Sequence, residues 1–103
     1  MLWVISLVDK PNTAAIRAKN QDEHSVYMAK VDPQVFMSGP LQSDDGKDNI
    51  GSLWIISANS RKEAQAFADG EPFFRAGVFE SYKINRWRRS AKHFHPELDP
   101  QPK

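Results

Sequence analysis

The chain contains no cysteine, which excludes disulfides and thiolate metal sites and makes a reducing cytoplasm its expected location. It also has no long apolar run. The most apolar stretch, Leu2 to Val8, lacks a preceding basic segment and stops at Asp9, too short for a signal peptide or a membrane span, so no membrane partner is expected. Neither sign of charge dominates: 14 Lys and Arg stand against 13 Asp and Glu, a net +1 that supplies no global field for nucleic acid or lipid. Internal repeats and low-complexity segments are absent as well. What remains, at 103 residues, is one small domain whose modest core would gain from association.

The apolar pattern then sets out the elements. Leu2 to Val8 reads as a strand buried on both faces, bounded by Asp9, Lys10 and Pro11. A helix follows, capped by Asn12 or Thr13 and closed before Asp32-Pro33, because a residue preceding proline disfavours the helical region. Val35 to Leu41 and Ile50 to Ala58 pair as a hairpin across the polar loop Gln42 to Asn49. Ser60-Arg61-Lys62-Glu63 has the capping-box pattern and opens a second helix that Gly70 stops. Val78 to Trp87 is a fourth strand. The domain thus spans residues 1–87, and residues 88–103 form a basic, proline-containing tail.

This order, βαββαβ, is the α+β, ferredoxin-like plan. Two helices cover one sheet face only, yet Trp3, Ile5 and Leu7 alternate with Leu2, Val4 and Val8, so both faces are apolar. A second copy of the chain is the economical cover, which predicts a face-to-face homodimer, a dimeric α+β barrel.

Within the first helix, Arg17 and His24 lie seven residues apart, two turns along nearly one line. With Ile16 at zero, Tyr27, Val31, His24, Arg17 and Met28 fall between about 20° and about 120°, inside the apolar stripe. Lys19, Gln21, Asp22, Glu23, Ser25 and Lys30 occupy the remaining, solvated arc. A buried Arg and His require partners from elsewhere in the fold. A second motif is Glu71-Pro72-Phe73-Phe74-Arg75-Ala76-Gly77-Val78. With the helix pair it points to one acid-base site.

Asp9, the Arg17/His24 pair, Ser38-Gly39-Pro40-Leu41, Gly51-Ser52, Glu71-Pro72-Phe73 and Ala76-Gly77-Val78, in that order, resemble the YciI-like (YCII-related) family over roughly residues 1–87. The resemblance implies the same fold and dimeric assembly, and a histidine-carboxylate dyad. It also implies chemistry like the dehydrochlorination of a chlorinated hydroxyhydroquinone known within the family, whose fold is similar to that of muconolactone isomerase. Carried onto this chain, it makes His24 the base and Glu71 the carboxylate that orients it. Pro72 holds that carboxylate, Arg17 and Ser52 stabilise an oxyanion, and Asp9 steadies Arg17. The chain departs from the family at Glu71, where Asp is usual; the extra methylene keeps the charge but lengthens the side chain.

The chemistry is coherent without the resemblance. An imidazole bonded through one nitrogen to a carboxylate has its tautomer fixed and its other nitrogen available as a base. A guanidinium and a hydroxyl can hold the charge that develops on a substrate oxygen. Proton removal, ketonisation and loss of chloride require no metal or organic cofactor. Spacing alone leaves plainer alternatives open: a half-buried His24 satisfied by a local carboxylate, an Arg17 salt bridge with Asp9 or Asp22, Asp9 as a turn residue, Ser52 as an ordinary strand residue, and Glu71-Pro72 as a helix start. Phe73, Phe74, Trp3 and Trp54 read as core or pocket wall.

His93-Phe94-His95 offers two imidazoles but no evident third ligand, so no metal site is expected. The Asp44 to Asn49 run lacks calcium-loop spacing and reads as a hairpin loop. The expected function is cofactor-free lyase or isomerase chemistry on a small hydroxylated aromatic substrate, chlorinated or not. The alternative is a non-catalytic small-ligand-binding module, or an RNA contact through Arg86-Trp87-Arg88-Arg89.

Overall fold

A computed structural model describes residues 1–93. Four strands, β1 (Leu2–Asp9), β2 (Val35–Gln42), β3 (Asn49–Ser57) and β4 (Phe79–Trp87), form one sheet in the order β2-β3-β1-β4, with every neighbouring pair antiparallel. Helices α1 (Ala14–Lys30), α2 (Arg61–Gly70) and the single turn α3 (Pro72–Arg75) complete the α+β, ferredoxin-like architecture.

Register explains which side chains meet the helices. Ile5 lies opposite Trp54 on one side and Ile84 on the other, and Leu7 opposite Ser52 and Tyr82. Paired residues share a face, so Trp3, Ile5, Leu7, Ser52, Trp54, Ile56 and Ile84 form one layer. Ala64, Phe67 and Ala68 of α2 pack onto that layer, with Tyr27 and Met28 of α1 and its C-cap Val31 beside them. The small alanines let α2 approach closely. As the capping-box pattern requires, the Ser60 hydroxyl accepts from the Glu63 amide at 3.2 Å.

The structure corrects four expectations. The first strand is buried on one face only: Val8 on the opposite face is 50% exposed, and Met37 and Leu41 of β2 on that same face are exposed too. No residue of α1 is fully buried, and Ile16 stands in solvent at 37% exposure. The inward line of that helix instead runs through Arg17, Asn20, His24, Tyr27, Met28 and Val31. Thr13 does occupy the N-cap of α1, but its hydroxyl donates to the Lys10 carbonyl rather than capping the helix, and Asn12 adopts a left-handed φ of 62°. Val78, expected to open the last strand, is buried just ahead of β4.

The hairpin loop forms as expected, with the Asp45 carboxylate accepting from the Ser43 hydroxyl and the Lys47 amide. The tail beyond His93, with His95, Pro96, Pro100 and Pro102, lies outside the described residues. Among the described residues no helix is long and apolar enough to cross a membrane.

Candidate active site

Glu71 sits between α2 and α3, and its position is locally determined. Gly70 ends α2, and Pro72, lacking an N–H and with its φ preset, opens α3 at the first helical position. Glu71 therefore becomes the N-cap of α3. Its Oε1 accepts from the Phe73 amide at 3.1 Å and its Oε2 from the Phe74 amide at 2.9 Å. The plain reading of Glu71-Pro72 as a helix start is correct, and the same carboxyl has a further partner. His24 Nδ1 lies 2.6 Å from Oε1. Glu71 is wholly buried, while the His24 side chain keeps 22% exposure. Because two amides already donate to this carboxyl, it acts as acceptor and Nδ1 as donor, an arrangement in which the neutral imidazole keeps its lone pair on Nε2. The extra methylene of Glu71 relative to Asp is accommodated within this contact.

Arg17 is held as firmly. Its Nε and Nη2 form a two-point contact with Asp9 at 2.9 and 3.0 Å, and Nη2 also reaches the Gly51 carbonyl and Ser52 Oγ, both at 3.2 Å. Of the two carboxylates weighed from sequence, Asp9 is the partner. The strands arrange this meeting: Gly51 lies opposite Val8 and Ser52 opposite Leu7, so the end of β1 and the start of β3 present Asp9, Gly51 and Ser52 to the helix together. Closeness is obligatory there. A Cβ at Gly51 would stand 2.3 Å from the Leu7 carbonyl oxygen.

A cavity of about 240 Å³ opens between α1 and the β2-β3 hairpin, lined by His24, Arg17 and Ser52 on one side, with Trp54 and Phe73 as aromatic walls. Of the six residues singled out from sequence, these first three face the cavity, whereas Glu71, Asp9 and Pro72 stand behind them. Gln21, assigned to the wet arc, also lines it, as do Ser38 and Asn49. Gln21 follows Arg17 by four residues and precedes His24 by three, and that spacing was the available signal. A larger, more open depression of about 700 Å³ adjoins through Arg17 and Asn49 and carries Lys10 and Lys47.

Tyr27, one turn beyond His24, donates its hydroxyl to the Phe67 carbonyl at 2.8 Å. Burial, and then the nearby Glu71 charge, raise its pKa above the ordinary 10.0. Among the described residues no group of three or more His, Cys, Asp or Glu side chains could hold a metal.

Protein YciI of Escherichia coli O6:H1 and Protein YciI of Shigella flexneri are each 27% identical over 96 residues, covering 86% of this chain and 98% of theirs. The 5-chloro-2-hydroxyhydroquinone dehydrochlorinase of Burkholderia phenoliruptrix AC1100, solved with 2,5-dihydroxybenzoquinone, is similar with a TM-score of 0.81 and 29% identity over 89% of this chain and 98% of that one. A structure from Pseudomonas aeruginosa, at 14% identity and TM-score 0.50 over 87% of this chain and 93% of its own, shares the fold alone. Residues 1–88 match the YCII-related domain, and the chain belongs to that family.

Proposed function

We propose that this protein is a lyase or isomerase performing acid-base chemistry on a small hydroxylated aromatic, by elimination of chloride where a ring chlorine is present. The observation that carries this reading is the 2.6 Å contact between His24 Nδ1 and the wholly buried Glu71, made by a histidine that also lines a cavity of about 240 Å³. The dehydrochlorinase that shares its fold, with a bound dihydroxybenzoquinone, supports the substrate class.

In this mechanism His24 Nε2 removes a proton from a substrate hydroxyl. Arg17, whose Nη1 has no hydrogen bond among the described residues, and the Ser52 hydroxyl stabilise the oxyanion. The oxyanion collapses to a ketone while the chlorine-bearing carbon takes up a proton. Loss of a second hydroxyl proton then expels chloride with the carbon–chlorine electron pair. Two O–H bonds are lost, one C–H bond is gained and HCl leaves, so the elimination is redox-neutral and gives a hydroxyquinone. Asp9 orients Arg17, and Pro72 sets the Glu71 cap. None of these steps calls on a cofactor.

The chain acts in the cytoplasm as a homodimer closed over the open sheet face, where Val4 lies opposite Ile55 and Val8, Met37 and Leu41 are exposed. RNA binding through the basic segment is less well supported. Arg86 stacks over Trp3 at 5.7 Å and Arg89 over Phe36 at 5.9 Å, so those cations already lie on the protein's own aromatic rings.

The deciding experiment follows chloride release and quinone formation from a chlorinated hydroxyhydroquinone with wild type and His24→Ala. The expected result is turnover in wild type that falls by roughly 10²- to 10⁴-fold in the variant while its fold is kept. Binding of the quinol without turnover by either protein would replace this reading with a ligand-binding role.

A further inference from the structure

Phe73 is buried at the junction of the two halves of the site. Its ring lies nearly parallel to the His24 imidazole, centroids 4.2 Å apart and planes 12° from coincidence. The same ring lies 5.0 Å from Arg17 Cζ. Its amide donates to Glu71 Oε1, the oxygen that also contacts His24 Nδ1. One residue therefore touches the imidazole, the guanidinium and the carboxylate.

We propose that Phe73 is a positioning residue: it fixes the plane of the His24 ring and its spacing from Arg17, and its π face stabilises the imidazolium formed when His24 takes a proton. The geometry favours this over simple wall-filling. A hydrogen bond from Nδ1 to a carboxylate, together with the covalent tether at Cγ, still lets the imidazole plane tilt, and a parallel ring 4.2 Å away restricts that tilt. A ring quadrupole also attracts cations over its face, and this one has both a permanent cation and a transient one. The charged and titratable groups around the imidazole are Glu71 ahead of α3, with Arg17 and Tyr27 on α1. The inference rests on His24 as the base for its catalytic consequence, but not for its structural one.

The test uses protein labelled with ¹⁵N-histidine and no substrate, His24 being assigned among the chain's three histidines by its absence in His24→Ala. Wild type should give a downfield Nδ1–H resonance and a single tautomer. In Phe73→Leu that resonance should broaden or vanish, and turnover should fall roughly ten- to a hundredfold in kcat with KM little changed. Should the leucine variant fail to fold, pentafluorophenylalanine placed at position 73 preserves ring and volume while inverting the quadrupole. It should lower kcat while leaving the fold intact. A sharp, single-tautomer resonance in Phe73→Leu, or unchanged turnover with the fluorinated ring, overturns the proposal. If chlorinated quinols are not turned over at all, the substrate-free resonance still decides the positioning role. If His24→Ala abolishes turnover while Phe73→Leu matches wild type, the proposed function stands and this inference falls.

Discussion

At the scale of single residues, Glu71 joins a local requirement to a tertiary one. Its cap to the Phe73 and Phe74 amides would exist in any chain with an acidic residue before proline at a helix start, whereas its contact with His24 spans 47 positions of sequence. The motif was legible as a cap and as an acid, but spacing alone could not choose between them, because the two roles are compatible in one carboxylate. Tyr27 is governed mainly by its own burial and secondarily by the same group. Its phenol is held protonated above 10.0 by burial first and the Glu71 charge second, so the unfolded chain releases this proton at lower pH than the folded one. The native state is then disfavoured as pH rises past 10, through the interval up to the raised folded-state value. Denaturation midpoints measured from pH 8 to pH 11 should decline more steeply for wild type than for Tyr27→Phe. Parallel curves would contradict this. At neutral pH the same variant should lose about 1 kcal/mol with the hydrogen bond to the Phe67 carbonyl.

At the scale of elements, strand and helix existence followed from pattern, and the boundaries agree to within a residue or two. The misreading of Ile16 has a physical cause. A helical wheel ranks directions by hydrophobicity, but α1 covers the sheet only along its C-terminal half, through Tyr27, Met28 and Val31, while its N-terminal half faces Asp9, Gly51 and Ser52. Burial there is polar, and an apolar side chain one position away gains nothing from it. Gly51 is the element-level constraint on this corner. In Gly51→Ala the methyl meets a backbone oxygen that cannot swing away, so β1 and β3 must shift. Urea denaturation should show a loss of about 1–3 kcal/mol. Because Arg17 bonds the Gly51 carbonyl, catalytic turnover should fall further than stability accounts for. Wild-type stability in this variant would mean that the strands have slack which the close approach conceals. Gly77, at a φ of 81°, serves a different need by turning the chain from α3 into β4.

At the scale of the whole molecule, the helices cover one sheet face and leave the other open. Leu2, Val4, Leu53 and Ile55 lie there, with exposed Val8, Met37 and Leu41 around them. A patch of this kind on a chain of 103 residues is costly to leave in water. Val4→Arg should convert the protein from twice the chain mass to a monomer in light scattering, with reduced thermal stability and His24 still bonded to Glu71. A wild-type monomer at micromolar concentration would remove the face-to-face assembly from consideration.

Periodicity, turn chemistry and capping are properties of neighbouring residues, so the order of elements, the two-sided apolarity of the strands and the cap at Glu71 were determined by the sequence itself. A candidate site set could be picked out as well, since Asp9, Arg17, His24, Ser52 and Glu71 fall in the order that the family resemblance requires. Only the tertiary structure decided the geometry of the pairings that the resemblance implied, Asp9 with Arg17 and Glu71 with His24, and that Phe73 lies against both the imidazole and the guanidinium. Those outcomes depend on strand register and on the angle at which α1 crosses the sheet. Both are set by the simultaneous packing of residues far apart in the chain, and no local window of sequence carries that information.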